Sequence, residues 1–151
     1  EDLRIFEELI DAEGVGPLVF DQCELTYVDH AFAGEGFEGL HELQQVSRNW
    51  TWPTLPEGVE PERASYRSSY LLRDDGEEPW GRLHVSATPR HRVDDQRAFV
   101  ALEFTARGAP SEGGREGVLR FVRRAHDALL NLFVSTTTER MHETWGLSRE
   151  D

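Results

Sequence analysis

Between residues 62 and 107, three runs of alternating apolar and polar residues follow one another: ERASYRSSYLLR, WGRLHVSAT and RAFVALEFTAR. The acidic stretch DDGEEP joins the first to the second, and PRHRVDDQ joins the second to the third. A period of two sends successive side chains to opposite faces of a strand. Short polar connections containing Asp-Gly and Pro suit hairpins, so the three runs predict an antiparallel meander. In the third run Val100, Leu102 and Phe104 face one way, and Phe99, Ala101, Glu103 and Thr105 face the other.

An apolar sheet face needs a cover. The longest helical pattern in the chain, roughly Glu116 to Val134, supplies one. Val118, Phe121, Val122, Ala125, Leu129, Leu132 and Phe133 form a broad apolar stripe on it. The β-branched run VSTTT ends this helix. Thr136 and Glu139 then have capping-box spacing, and a short last helix runs to Trp145 with Gly146 placed to stop it.

Upstream, Leu3, Phe6, Leu9 and Ile10 recur at helical spacing, and Gly14-Val15-Gly16-Pro17 ends that helix. In LVFDQCELTYVDHAF, Val19, Cys23, Leu25 and Tyr27 share one parity, with Gln22, Glu24 and Thr26 on the other. This is the pattern of a strand with one buried face. GLHELQQVSRNW reads as a short helix presenting Phe37, Leu40, Leu43 and Val46 on one side. NWTWPTLPEGVEP, with three prolines and two tryptophans, reads as an ordered loop. The element order is α-β-α-β-β-β-α-α. It predicts a single α+β domain over residues 1–151: an antiparallel sheet, made of the three-strand meander plus one earlier strand, covered by the long C-terminal helix.

Length and charge narrow the function classes. The 151 residues fit one domain with a real core. A net charge of −13 repels phosphate backbones, so no nucleic-acid binding by this domain alone is expected. The short basic clusters Arg120, Arg123, Arg124 and Arg90, His91, Arg92 read as a solvated helix face and a hairpin tip. The sixteen basic residues are all arginine. Schiff-base, phosphate-loop and general-base lysine chemistry is therefore excluded within this chain. The lone Cys23 forms no internal disulfide and no multi-cysteine zinc site, which points to a cytoplasmic protein. No apolar run reaches the roughly 18 residues of a membrane span. EDLRIFEEL lacks the features of a secretory leader. The chain starts at Glu1 and not Met, and reads as a piece of a longer one.

GEGFEG, Gly34 to Gly39, satisfies the G-x-G-x-x-G pattern of a dinucleotide loop. That loop requires a buried parallel strand before it, and the strand here is half polar. Glu35 and Glu38 also place negative charge where phosphates would sit. A dinucleotide-binding protein is thus the weakest of the readings, and no cofactor is expected. The six histidines, His30, His41, His84, His91, His126 and His142, form no H-x-x-x-H pair, so no metal site is expected. His126 and His142 read as boundary histidines beside apolar stripes. Cys23 lies on the apolar parity of its strand, where a buried inert thiol is the ordinary case. Asp74-Asp75 and Glu77-Glu78 read as solvated charge at a hairpin tip.

The remaining candidate is the polar sheet face. With strands paired as a meander, Glu24, Tyr66, Tyr70, Arg82, His84, Ser86, Glu103 and Thr105 are expected to share it. Three readings stay open for such a face: a solvated outer surface, a protein interface or a small-molecule pocket.

The final third carries a resemblance. The strand end LEFTAR, the helix FVRRAHDALLNLF and the Thr-rich break STTTERMHETWG together resemble the tail of a sporadically distributed family of uncharacterised prokaryotic proteins. QCELTYVDHAF is similar to that family's middle strand. The resemblance spans nearly all of this chain but only the later part of a family member. It implies an α+β fold and a role in prokaryotic defence or conflict systems, and it assigns no catalytic residue. Together these readings give a non-catalytic protein-interaction or ligand-sensing module, bound to a protein partner or to a second copy of itself, with no membrane association. The alternative is a small-molecule enzyme drawing its acid/base pair from Glu24, His84 or Glu103.

Overall fold

The structure, a computed structural model, describes residues 2–16, 18–74 and 78–147. Among these residues, three α-helices, α1 (Asp2–Ala12), α2 (Gly114–Thr136) and α3 (Glu139–Thr144), accompany four strands, β1 (Cys23–Phe32), β2 (Tyr66–Leu72), β3 (Gly81–His91) and β4 (Ala98–Gly108). All pairings are antiparallel, and the sheet order is β1-β4-β3-β2. The α+β architecture is therefore the one its periodicities predict: a meander, one earlier strand beside it, and a long helix across one face. Among the described residues no helix is long and apolar enough to cross a membrane. Asp75 and Glu77 of the acidic tip lie outside the described residues.

Register explains the core. Antiparallel partners share a face, so the rows Leu25–Ala106–Leu83 and Tyr27–Phe104–Val85 point to the same side as Leu102 and Val100. α2 answers with Gly117, Phe121, Ala125 and Leu129, all buried and spaced four apart. At about 25 cal/mol per Å² of apolar area removed from water, this interface is the main source of stability. Because β1 pairs with the last strand and not with β2, residues 33–65 must cross the sheet between them. The crossing segment completes the cover by adding Phe37, Leu43, Val46 and Trp50 to the same core. α1 buries much less: Phe6 and Leu9 of its apolar stripe stay about half exposed.

Four local expectations are revised. The segment after GEGFEG forms a 3-10 helix, Leu40–Gln45, and not an α-helix. Val19 stands outside β1 and is exposed. α2 continues through Thr136, because Thr136 and Thr137 turn their hydroxyls back onto the carbonyls of Leu132 and Phe133 at 2.7 and 2.6 Å. The N-cap of α3 is consequently Thr138, whose Oγ1 accepts from the Met141 amide at 3.3 Å, and not Thr136. Gly146 ends α3 as expected, with φ +69°.

Candidate functional site

The face of the sheet away from α2 carries the candidate site, and register decides its membership. Its rows read Glu24–Arg107–Arg82–Leu71, Thr26–Thr105–His84–Ser69 and Val28–Glu103–Ser86–Arg67. Glu24, Arg82, His84, Ser86, Glu103 and Thr105 are thus brought together, as expected from parity. Tyr66 and Tyr70 are not. They pair with Ala87 and Leu83 and so lie on the helix side, where their hydroxyls meet at 3.1 Å.

The reason is burial. β2 can turn Tyr66, Ser68, Tyr70 and Leu72 inward, or Arg67, Ser69 and Leu71. The first set packs Tyr66 and Leu72 against the core and leaves the Arg67 charge in water, while Tyr70 stays 40% exposed. Parity within one strand could not show this, because the connection between β2 and β3 sets the relative phase. In exchange the outer face gains Arg67 and Ser69.

The side chains on this face engage one another across the strands. Arg107 Nε donates to Glu24 Oε2 at 2.6 Å. Thr26 and Thr105 hydroxyls bond at 2.9 Å, and Ser69 Oγ meets His84 Nδ1 at 2.9 Å. A hollow of about 470 Å³ is lined by Glu24, Thr26, His84, Glu103, Thr105 and Arg107. Arg67, Arg82 and Arg90 make no ion pair among the described residues, whereas Arg92 and Arg97 at the end of the face are held by Asp94 and Glu35. Arg97 also lies 5.0 Å from the Phe32 ring centroid. The hydrogen bond from Arg92 holds the Asp94 carboxyl below its ordinary range.

The other sequence candidates resolve into structural roles. In GEGFEG, Gly34 and Gly36 take φ of +84° and +91°, and Gly34 N donates to the Phe37 carbonyl at 2.8 Å, closing a turn. The preceding strand is an antiparallel edge strand, so the frame of a dinucleotide loop is lacking. His126 Nδ1 meets the Tyr27 hydroxyl at 2.5 Å, tying α2 to β1. His142 is buried and its Nε2 lies 2.7 Å from Thr137 Oγ1. Cys23 is buried, and that burial pushes its thiol pKa up, away from the reactive thiolate. Arg124 and Arg120 are engaged by Asp74 and Glu112. Among the described residues no three His, Cys, Asp or Glu side chains converge as metal ligands.

A second concavity escaped the sequence. A groove of about 490 Å³ runs between β1 and α2, with Tyr27 and Asp29 on one side and Phe133 and Trp145 on the other. Its one available signal was Asp29, a carboxylate in the inward row of β1 between Tyr27 and Ala31. No protein-family model, curated protein or solved structure matches the chain.

Proposed function

We propose that this domain is a non-catalytic protein-interaction module that docks an acidic protein surface on the open face of its sheet. The observation that carries the reading is a charge reversal. In a chain of net charge −13, this face bears Arg67, Arg82, Arg90 and Arg107 against only Glu24 and Glu103. Three of those arginines have no internal ionic partner among the described residues. Unpaired guanidinium groups on a rigid sheet are ready to make bidentate bonds to carboxylates. A basic face on an acidic body also orients an encounter, because the net charge of −13 disfavours other approaches on average. The likeness of the tail to a prokaryotic family extends the proposal to a prokaryotic system.

The test is affinity capture with the whole chain from cells that encode it, compared with the Arg67→Glu/Arg82→Glu variant. The expected result is a partner retained by the parent chain and lost both in the variant and at high salt. Partners retained equally by the two proteins would end the proposal. A second reading rests on the hollow that gathers Glu24, His84 and Glu103: a small-molecule site with acid/base groups. It predicts a substrate-dependent activity that disappears when these three residues are changed to alanine.

A further inference from the structure

β1 is an edge strand, and its outer backbone is free. Among the described residues, none of the backbone hydrogen bonds outside helices and ladders reaches residues 23–31. The groove described above opens along this edge. Its strand wall is made of four consecutive residues, Tyr27, Val28, Asp29 and His30. Neighbouring strand residues point to opposite faces. A wall that takes in four in a row therefore follows the strand's edge, and not one face of it. The opposite wall is apolar, with Leu130 of α2 about 44% exposed and Phe133 and Trp145 stacked at 5.4 Å. Val28, on the strand side, is 55% exposed.

We propose that this groove holds an extended peptide segment of a partner protein, which adds as a fifth strand along β1 and sets a basic side chain opposite Asp29. Strand addition satisfies the free amides and carbonyls, which is the source of affinity in this binding mode. The residue of the added strand directly opposite Asp29 shares its face, with Cβ atoms about 5 Å apart. Residues two places away on either side fall beside Tyr27 and the aromatic wall. The partner segment accordingly reads apolar-x-basic-x-apolar, a pattern that is the same in both strand directions. Asp29 also selects. Asp29 is exposed in the free domain, and an added strand covers it: a neutral or acidic strand leaves the covered carboxylate uncompensated, whereas a basic one neutralises it. An inward-pointing charge at a sheet edge discourages indiscriminate strand pairing for the same reason. The groove meets the outer face only at the β1 edge, through Val28 and His30, and contains none of the face's arginines.

Capped, dye-labelled heptapeptides test it by fluorescence polarisation against the whole chain. SITKTLS should bind at least about tenfold more tightly than SITETLS, since a like charge set against Asp29 is strongly disfavoured. Asp29→Asn, which keeps the side chain's shape, should abolish that preference, and Asp29→Lys should invert it. Of two SITKTLS peptides N-methylated on alternate backbone nitrogens, one should lose binding and the other keep it. Arg67→Glu/Arg82→Glu should leave all of this unchanged, which separates the groove from the sheet face. The proposal is overturned if no peptide binds, if the Lys and Glu peptides bind alike, or if both N-methylated peptides bind like the parent. A homodimer formed through β1 that shuts the peptides out would overturn it as well.

Discussion

Gly117 stands in the first turn of α2 with the Glu112 carbonyl so near that a Cβ on it would meet that oxygen at 1.9 Å. Alanine normally gains about 1 kcal/mol over glycine inside a helix. Here the methyl group has no room, because the obstacle is backbone. Gly117→Ala is therefore expected to destabilise the domain by about 1–3 kcal/mol, as overpacking does. Chemical denaturation measures it, and a variant as stable as the parent would refute the close approach. This contact was invisible in the sequence, where Gly117 looked like an unremarkable member of a helix. The threonine run shows the converse. The letters VSTTT announced a helix boundary correctly, but three adjacent threonines can each cap. Only the distances show that Thr136 and Thr137 close α2 while Thr138 opens α3.

At the level of elements, Arg124 ties α2 to the two ends of the connection between β2 and β3 that the structure describes, Asp74 and Trp80. Arg124 of α2 donates to both carboxylate oxygens of Asp74, at 2.6 and 2.7 Å, and lies 4.0 Å from the Trp80 ring centroid. Trp80 in turn packs edge-on against Phe121. Both bonds come from the same Nη2, and the guanidinium also stacks on an aromatic ring, which makes a stronger tether than an ordinary surface ion pair. Arg124→Met keeps much of the apolar stem and removes the charge. Hydrogen exchange of the Trp80 amide, which donates to the Leu72 carbonyl at 2.9 Å, should accelerate by about tenfold, for roughly 1.4 kcal/mol of local stability lost. Unchanged protection would show that the tether does not matter. The sequence grouped Arg124 with Arg120 and Arg123 as a solvated face. Helical periodicity gave the side of the helix, but not the hairpin that comes to rest against it.

For the molecule as a whole, the two faces of the sheet divide the labour. The helix side holds the buried rows and the crossing segment. The outer side holds hydroxyls, charges and three arginines without an ion-pair partner among the described residues. Charges that make no internal contact contribute little to folding. The Arg67→Glu/Arg82→Glu variant should thus unfold within about 0.5 kcal/mol of the parent, while losing its partner. A large loss of stability would mean that these arginines serve the fold and not an interface. The net charge of −13 acts at this same scale. It disfavours an acidic partner away from the arginine face and favours the basic segment proposed for the groove at Asp29.

Alternation, amphipathic spacing and turn chemistry determined the element order, the antiparallel meander and the helix that covers it, because each is a local consequence of residue order. Those signals also placed Glu24, Arg82, His84, Glu103 and Thr105 on one polar face. The relative phase of β2 lay beyond them. Tyr66 and Tyr70 face the helix side because strand pairing, not strand pattern, chooses between two faces of similar alternation; Tyr66 packs against the core there, while Tyr70 stays 40% exposed. The groove beside β1 was equally out of reach. It exists because β1 pairs with β4 at one end of the sheet and α2 comes to rest just short of its edge. That is a non-local arrangement, and no window of neighbouring residues contains it.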